Sequence, residues 1–363
     1  MTKSPSIFQA LTEDRQVSIR ILFLADTHLG YDLPMRPRIQ RRRRGYDFIA
    51  NFEAVLDAAV ERQVHCVLHG GDLFFRSRVP REVVHEAFRR MRRVAAADIP
   101  IFLVPGNHER SHIPYPMMVR HPNIHIFDRP STYVVHVGKT RLALAGFPFC
   151  SGNLRRDFPA LIEQTGWRHK AANVNLLCVH HSFEGATVGP GEFVFRYGKD
   201  VARLGDVPPA FAAVLSGHIH RHQALTSDLH GRKIPAPVLY PGSIERTSYA
   251  EKDETKGYLL LDINADDSGR PGIAWEFAPL PARPMLVVDL PARDSADVSL
   301  EKTIRQVIVR APANAVLRLR IHGFLTETMR QEVSAGRLRQ ISPPTMNVEA
   351  VLVDELQQRN SYR

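Results

Sequence analysis

The chain has 363 residues, 44% hydrophobic and 24% charged, close to ordinary globular composition, which excludes wholesale disorder, collagen and a coiled-coil rod. Its 48 Lys and Arg outweigh 38 Asp and Glu for a net charge of +10. That excess is local: residues 36–44 carry +6, residues 76–93 carry +5, and the remainder is −1.

No apolar run approaches the roughly 18 residues of a membrane helix, and the polar start lacks the apolar stretch of a secretory signal. Cys66, Cys150 and Cys178 are too few and too scattered for a disulfide frame or a zinc cluster. A cytoplasmic protein without a membrane partner is expected. At roughly 150 residues per domain, the length suggests two domains.

In chain order, Ile19–Ala25 reads as a buried strand ending at Asp26. Phe48, Ile49, Phe52, Val55, Leu56 and Ala59 then recur at helical spacing. His65–Leu68 is the next strand, ending at Gly70-Gly71-Asp72. A helix runs from about Pro80 through Val84, Ala87, Phe88 and Met91, and Ile101–Val104 is a third strand before Pro105-Gly106-Asn107-His108. This βαβαβ alternation predicts a mainly parallel sheet. Seven further strand-like runs follow: Thr132–Val137, Leu142–Phe147, Val174–Val179, Ala212–Leu215, Val238–Tyr240, Tyr258–Ile263 and Ile273–Phe277. A second sheet packed on the first would produce them.

Pro279, Pro281 and Pro284 mark a linker. After it, strands at Met285–Leu290, Ala315–Ile321 and Val348–Val353 and helices near Leu300–Val309 and Thr326–Ser334 form a small unit. The expected fold class is α/β: a two-sheet βαββ sandwich core over residues 19–282, preceded by an extension, 1–18, and followed by a small α/β unit, 283–363.

Metal-binding residue types stand just beyond the strand ends, where open α/β sheets present ligand sites. They are Asp26 and His28, Asp72, Asn107 with His108, His180 with His181, and His218 with His220. Gly70, Gly71, Gly106 and Gly217 precede candidates, permitting close backbone approach. A lone histidine near a strand is ordinarily a hydrogen-bonded core or surface residue, and this chain uses histidine freely. Five such segments in order are harder to explain by packing, because buried Asp and His need partners. Carboxylate, imidazole and carboxamide together suit Mn, Fe or Zn better than Ca or Mg. Two ions bridged by one Asp would clamp a phosphoryl group for in-line displacement.

These residues resemble the five motifs of the calcineurin-like metallophosphoesterases: Asp26-x-His28, Gly71-Asp72, Gly106-Asn107-His108-Glu109, His180 and Gly217-His218-Ile219-His220. Asp26-Thr-His-Leu-Gly, Gly71-Asp-Leu-Phe, and Tyr240-Pro-Gly-Ser-Ile-Glu-Arg-Thr-Ser248 leading to Lys256-Gly-Tyr258 are similar to the nuclease subunit of the SbcCD complex and its double-strand-break-repair relatives. The resemblance spans residues 19–290, and the unit after 283 is similar to that family's capping domain.

The resemblance implies a Mn-dependent, two-metal DNA exonuclease or endonuclease. One ion would be held by Asp26, His28, Asp72 and His220, the other by Asp72, Asn107, His180 and His218. His181 competes with His180, which is preferred because it directly ends its strand. His108 would donate a proton or stabilise charge at the scissile phosphate. A homodimer and an SMC/ABC-type ATPase partner are also implied, although little sequence remains after the capping unit for the segment that grips the partner. Phe75 and Glu109 depart from the family's usual residues at positions that are not metal ligands.

Arg41, Arg42, Arg43, Arg44, Arg76 and Arg78 are the candidate DNA contacts, with an acidic partner surface or simple pairing to carboxylates as the alternative. Contacts to phosphates position a duplex without reading its sequence. The aromatic residues, 8% of the chain, show no clear stacking platform. Phe74, Phe75 and Tyr115 are candidates to line the cleft, with core packing the stronger reading for the two Phe. Competing functions are a small-substrate or phosphoprotein phosphoesterase and a non-cleaving DNA-binding scaffold.

Overall fold

The structure is a computed structural model and describes residues 18–32, 42–110, 113, 120–265, 271–292 and 299–353. The first half runs β1 (Ile19–Leu24), α1 (Gly45–Glu61), β2 (Cys66–His69), α2 (Arg81–Ala95), β3 (Ile101–Leu103) and β4 (Ile124–Ile126). Then come β5 (Ser131–Val137), β6 (Thr140–Gly146), α3 (Leu154–Gln164) and β7 (Val174–Val179). Four short strands follow: β8 (Ser182–Phe183), β9 (Thr187–Val188), β10 (Phe193–Val194) and β11 (Val201–Ala202). The core closes with β12 (Ala213–Ser216), β13 (Gln223–Ser227), β14 (Lys233–Tyr240), β15 (Gly257–Ala265) and β16 (Pro271–Pro279). Beyond lie β17 (Met285–Pro291), α4 (Leu300–Arg310), β18 (Val316–His322), α5 (Glu327–Glu332), α6 (Ala335–Ile341) and β19 (Asn347–Val353).

The first sheet has the order β16-β15-β1-β2-β3-β4, with β1 to β4 mutually parallel and β15 and β16 antiparallel. Both faces of β1 are covered, which explains its unbroken apolar run. Ile19, Ile21 and Phe23 face the second sheet, while Leu22 and Leu24 meet α1 and α2. The helices bury one stripe each, Phe48, Phe52, Val55 and Leu56 on α1 and Val84, Phe88 and Met91 on α2.

The second sheet has the order β13-β14-β12-β7-β6-β5, parallel through its four central strands and antiparallel at both edges. Phe23, Leu68, Phe102, Leu144, Leu176, Leu215 and Leu259 fill the space between the sheets. Truncating Phe102 to Ala there would cost roughly 3–5 kcal/mol in lost burial and cavity. The outer face is covered by α3 through Leu154, Phe158 and Ile162. Sequence periodicity missed α3, whose apolar positions are few and which carries Pro159 inside it.

The third sheet, β17-β18-β19, is fully parallel and is backed by α4, α5 and α6. The helix expected near Thr326–Ser334 is α5, and a further helix not expected from the sequence, α6, follows it, with Ser334 capping it by accepting from the Arg337 N–H. Arg283 pins this unit to the core: its buried guanidinium donates to Asp47 at 3.0 Å, to Asn347 at 2.8 Å and to the Asn314 carbonyl at 2.7 Å. Among the described residues no helix is long and apolar enough to cross a membrane.

Candidate metal centre

The parallel strands of both sheets deliver their C-terminal ends to one place. Asp26 follows β1, Asp72 follows β2, Asn107 follows β3, His180 follows β7 and His218 follows β12. Four of the side chains sit on left-handed backbone: Asp26 at φ 51°, His28 at φ 43°, Asp72 at φ 55° and His218 at φ 83°. Non-glycine residues adopt this region rarely, at a cost of order 1–3 kcal/mol each, and such strain clusters at functional sites. It is held by backbone pairing between the first two loops, where the Asp26 N–H donates to the Gly71 carbonyl at 2.9 Å and the His28 N–H to the Asp72 carbonyl at 3.0 Å. Gly106 is required because a Cβ there would run into the Asp72 carboxylate, and a Cβ on Gly71 would strike the His180 ring.

The imidazole nitrogens converge. His28 Nε2 and His220 Nε2 lie 3.0 Å apart. Asn107 Oδ1 lies 3.0 Å from His180 Nε2 and 3.0 Å from His218 Nδ1. Asp72 Oδ2 is 3.5 Å from His180 Nε2 and 3.8 Å from His108 Nε2. Ligand atoms of Asp26, His28 and His220 form one close group, those of His28, Asp72 and His108 a second, and those of Asp26, Asp72 and His180 a third. The structure thus brings together Asp26, His28, Asp72, Asn107, His108, His180, His218 and His220.

His181 points elsewhere, its ring stacked on Phe149 with centroids 5.1 Å apart. His108 stands at the rim, its Nδ1–H donating to the Phe75 carbonyl at 2.5 Å and its backbone N–H to Asp72 Oδ1 at 2.9 Å.

Electrostatics separates these groups. Burial pushes the Asp26 carboxyl up to about 6, against the pull of His180 and His220. Burial also acts to raise Asp72, but His180, His28 and His108 outweigh it and hold that carboxyl below the usual range. Burial would lower His180, yet Asp72 and Asp26 raise it to about 9. His218 is driven down to about 3 by burial and by His180, and burial drives His28 well down. A cavity with two buried carboxylates, in which burial holds the His28 and His218 rings neutral, is arranged to receive positive charge.

Supporting residues were less visible in the sequence. Glu109 is buried and joins two of the loops, accepting from the Phe74 N–H at 2.5 Å and the Gly106 N–H at 2.8 Å. His69 meets Thr27 Oγ1 at 3.0 Å, and that hydroxyl donates to the Leu73 carbonyl at 2.9 Å. Glu251 stands behind His220, between the Tyr240–Ser248 motif and Lys256, and no sequence signal singled it out.

The arginine candidates divide. Arg44 departs from the expected phosphate contact: it is buried, its guanidinium donates to the Arg246 carbonyl and to Tyr31 Oη, and it lies over the Tyr31 ring. Arg43 turns its mostly covered side chain to Asp32, and Arg42 pairs with Asp47 at 2.6 Å. Arg41 lies outside the described residues, as does Tyr115. Arg76 and Arg78 are exposed on the stretch that follows Asp72, with Arg76 over the Phe75 ring at 5.1 Å. Further along that stretch, Arg89, Arg90 and Arg93 are bound to Glu86, Glu53 and Asp57, the pairing to carboxylates weighed from sequence. Phe74 is core, whereas Phe75 is half-buried against His108 and Tyr31. Exposed aromatic rings, which composition did not reveal, occur at Phe193 and Tyr197 in and just after β10. The β9–β10 hairpin is fastened to the residue after His220, since Arg221 donates to the Gly189 carbonyl at 2.8 Å.

Several relatives carry the name DNA double-strand break repair protein Mre11. That of Aeropyrum pernix is 24% identical over 319 residues, covering 84% of this chain and 72% of the relative. That of Thermoplasma acidophilum is 24% identical over 332 residues, 86% of this chain and 80% of the relative. The Methanosarcina acetivorans protein is 43% identical, but over 91 residues, so the match spans 25% of this chain and 14% of that protein. Residues 19–222, more than half of the chain, match the family described as Calcineurin-like phosphoesterase. The chain belongs to the calcineurin-like phosphoesterase family.

Proposed function

We propose that this protein is a Mn-dependent DNA nuclease that hydrolyses phosphodiester bonds with two metal ions, in DNA repair or defence against foreign DNA. The observation that carries the two-ion reading is the placement of Asp72, which shares one close donor group with His28 and another with Asp26 and His180. The donor set also fits a cation: the Nε2 atoms of His28 and His220 face each other at 3.0 Å, and the buried Nδ1 of His28 has no hydrogen-bond partner among the described residues. Asp26, His28, Asp72 and His220 would hold one ion, and Asp72, Asn107, His180 and His218 the other. Mixed oxygen and imidazole ligation favours Mn over Ca or Mg. When bound, the ions supply Lewis acidity to the phosphate oxygens.

The protein's own residues complete the chemistry. With Nδ1 committed to the Phe75 carbonyl, His108 has Nε2 left to carry a proton to a leaving oxygen or to place charge at the scissile phosphate. Buried Glu109 holds the Gly106 and Phe74 loops in register, which keeps His108 beside Asp72. Arg76 and Arg78, exposed on the stretch that follows Asp72, suit the phosphates of a duplex. The names of the relatives support DNA as substrate. By resemblance the reading extends to a homodimer and an SMC/ABC-type ATPase partner, to be tested by co-purification.

The test is cleavage of linear duplex, hairpin and circular single-stranded DNA with and without Mn, run beside a generic phosphodiester. DNA cutting that requires Mn and is lost in His108→Ala and Asp72→Ala supports the nuclease. Hydrolysis of the generic diester with all DNA intact, alone and with the ATPase partner, would overturn it.

A further inference from the structure

We infer that Glu251 is a positioning residue for His220 and sets the affinity of one of the two metal sites selectively. The inference rests on the metal reading above and adds a residue that the metal ligands do not include. His220 uses its two ring nitrogens differently. Nε2 faces His28 inside the centre, while Nδ1 faces away, 3.4 Å from Glu251 Oε1 and 3.3 Å from Thr247 Oγ1. Thr247 donates its own proton to Glu251 at 2.6 Å, so its oxygen is left to accept from the ring. Both neighbours of Nδ1 therefore accept. The proton is fixed on Nδ1, and the Nε2 lone pair is turned toward the centre.

Glu251 is itself held. It is 8% exposed, accepts from Ser248 Oγ at 3.1 Å and pairs with the Lys256 ammonium at 2.7 Å. Lys256 is 1% exposed and donates to the His220 carbonyl at 2.8 Å, so one lysine fixes the backbone of the ligand residue and the carboxylate behind its ring. The turn carrying Glu251 cannot drift, because Arg246 donates to the Lys252 carbonyl at 2.7 Å and to the Arg283 carbonyl at 2.9 Å. A buried lysine and a buried glutamate spent on a histidine's second nitrogen have a plain purpose. A carboxylate there orients the imidazole and raises its basicity, and its removal typically costs 10- to 100-fold in metal affinity. His180, by contrast, rests its Nδ1 on the Gly70 carbonyl at 2.7 Å, so the two sites are tuned by groups of different charge.

The experiment is calorimetric titration of the full chain with Mn, with manganese electron paramagnetic resonance as a second readout. Wild type should bind two ions. Glu251→Gln should weaken one of them by about 10- to 100-fold and leave the other within about twofold, with Glu251→Asp recovering part of the loss. In a His220→Ala background, Glu251→Gln should add nothing further. Thr247→Val gives a milder variant in which a smaller loss falls on the same site, and the metal-free melting temperature of each variant reports folding. Unchanged affinity in well-folded Glu251→Gln, equal weakening of both ions, or additivity with His220→Ala would overturn the inference while leaving the metal reading intact. Fewer than two ions on wild type would overturn the metal reading itself, and this inference with it.

Discussion

The imidazole of His108 is tethered by its Nδ1–H to the Phe75 carbonyl at 2.5 Å, while its Nε2 stands 3.8 Å from Asp72 Oδ2. The His108 side chain keeps 34% of its surface open, against 28% for His220 and none for His180. A group that donates a proton must reach the substrate, whereas a group that holds an ion need not. His108→Ala is accordingly expected to lower the hydrolysis rate by roughly 100- to 10,000-fold, the usual worth of a positioned acid or base, with Mn affinity nearly unchanged. Parallel calorimetry and DNA cleavage measure both. Loss of metal along with activity would show that His108 is a ligand instead.

Gly106 offers a purely steric test, because its backbone is not among the left-handed glycines and any effect of a side chain arises from contact alone. A Cβ would overlap the carboxylate and backbone nitrogen of Asp72. The loop after β3 would have to retreat, carrying Asn107 and His108 with it. Overpacking of this kind costs roughly 1–3 kcal/mol, so Gly106→Ala should melt several degrees lower and bind Mn more weakly. Normal Mn affinity in this variant would mean that the loop has slack the structure does not show.

What could be read beforehand has a physical basis. Asp26, Asp72, Asn107, His180 and His218 were visible because a strand buried on both faces is written as an apolar run, and each of them follows within a few residues of such a run. Glu251 was not visible. It sits on a short 3-10 turn, Tyr249–Glu251, far from any ligand in sequence, and only folding brings it to His220. Arg44 failed for another reason. In composition it is one of a run of arginines, and nothing there distinguishes a solvated guanidinium from one enclosed by Tyr31 and the Arg246 carbonyl. The helix α3 escaped because Leu154, Phe158 and Ile162 are its only buried positions.

The same division of the arginines predicts how salt will act on DNA binding. Each phosphate neutralised by a side chain contributes about 0.9 to the slope of log affinity against log salt. Arg76→Ala and Arg78→Ala should each reduce that slope by about one and weaken binding alike for all sequences. Arg44→Ala should lower thermal stability and leave the slope nearly unchanged, because its charge is turned inward. Titration of each variant against a fluorescent duplex at several salt concentrations separates these cases. A full unit lost from the slope in a well-folded Arg44→Ala would reverse the assignment.

Arg283 ties the third sheet to the core. Its guanidinium, 7% exposed, serves Asp47 on α1, Asn347 on β19 and the carbonyls of Asn314, Ala315 and Thr345. Arg246 in turn donates to the Arg283 carbonyl, so the residue is fixed at backbone and side chain alike. Deleting Arg283 takes one of two guanidinium partners from buried Asp47, which keeps Arg42 at 2.6 Å, and removes the donor to the Asn314 and Thr345 carbonyls and to Asn347. Arg283→Ala should therefore lose roughly 3–5 kcal/mol in urea unfolding, and Arg283→Lys should recover little, since an ammonium cannot reproduce a planar fork with five donors. A double variant, Arg283→Met with Asp47→Asn, should be less destabilised than Arg283→Ala alone, because no buried carboxylate then loses a partner. If the double variant were the worse of the two, the joint would depend on the hydrogen bonds to the carbonyls rather than on the ion pair.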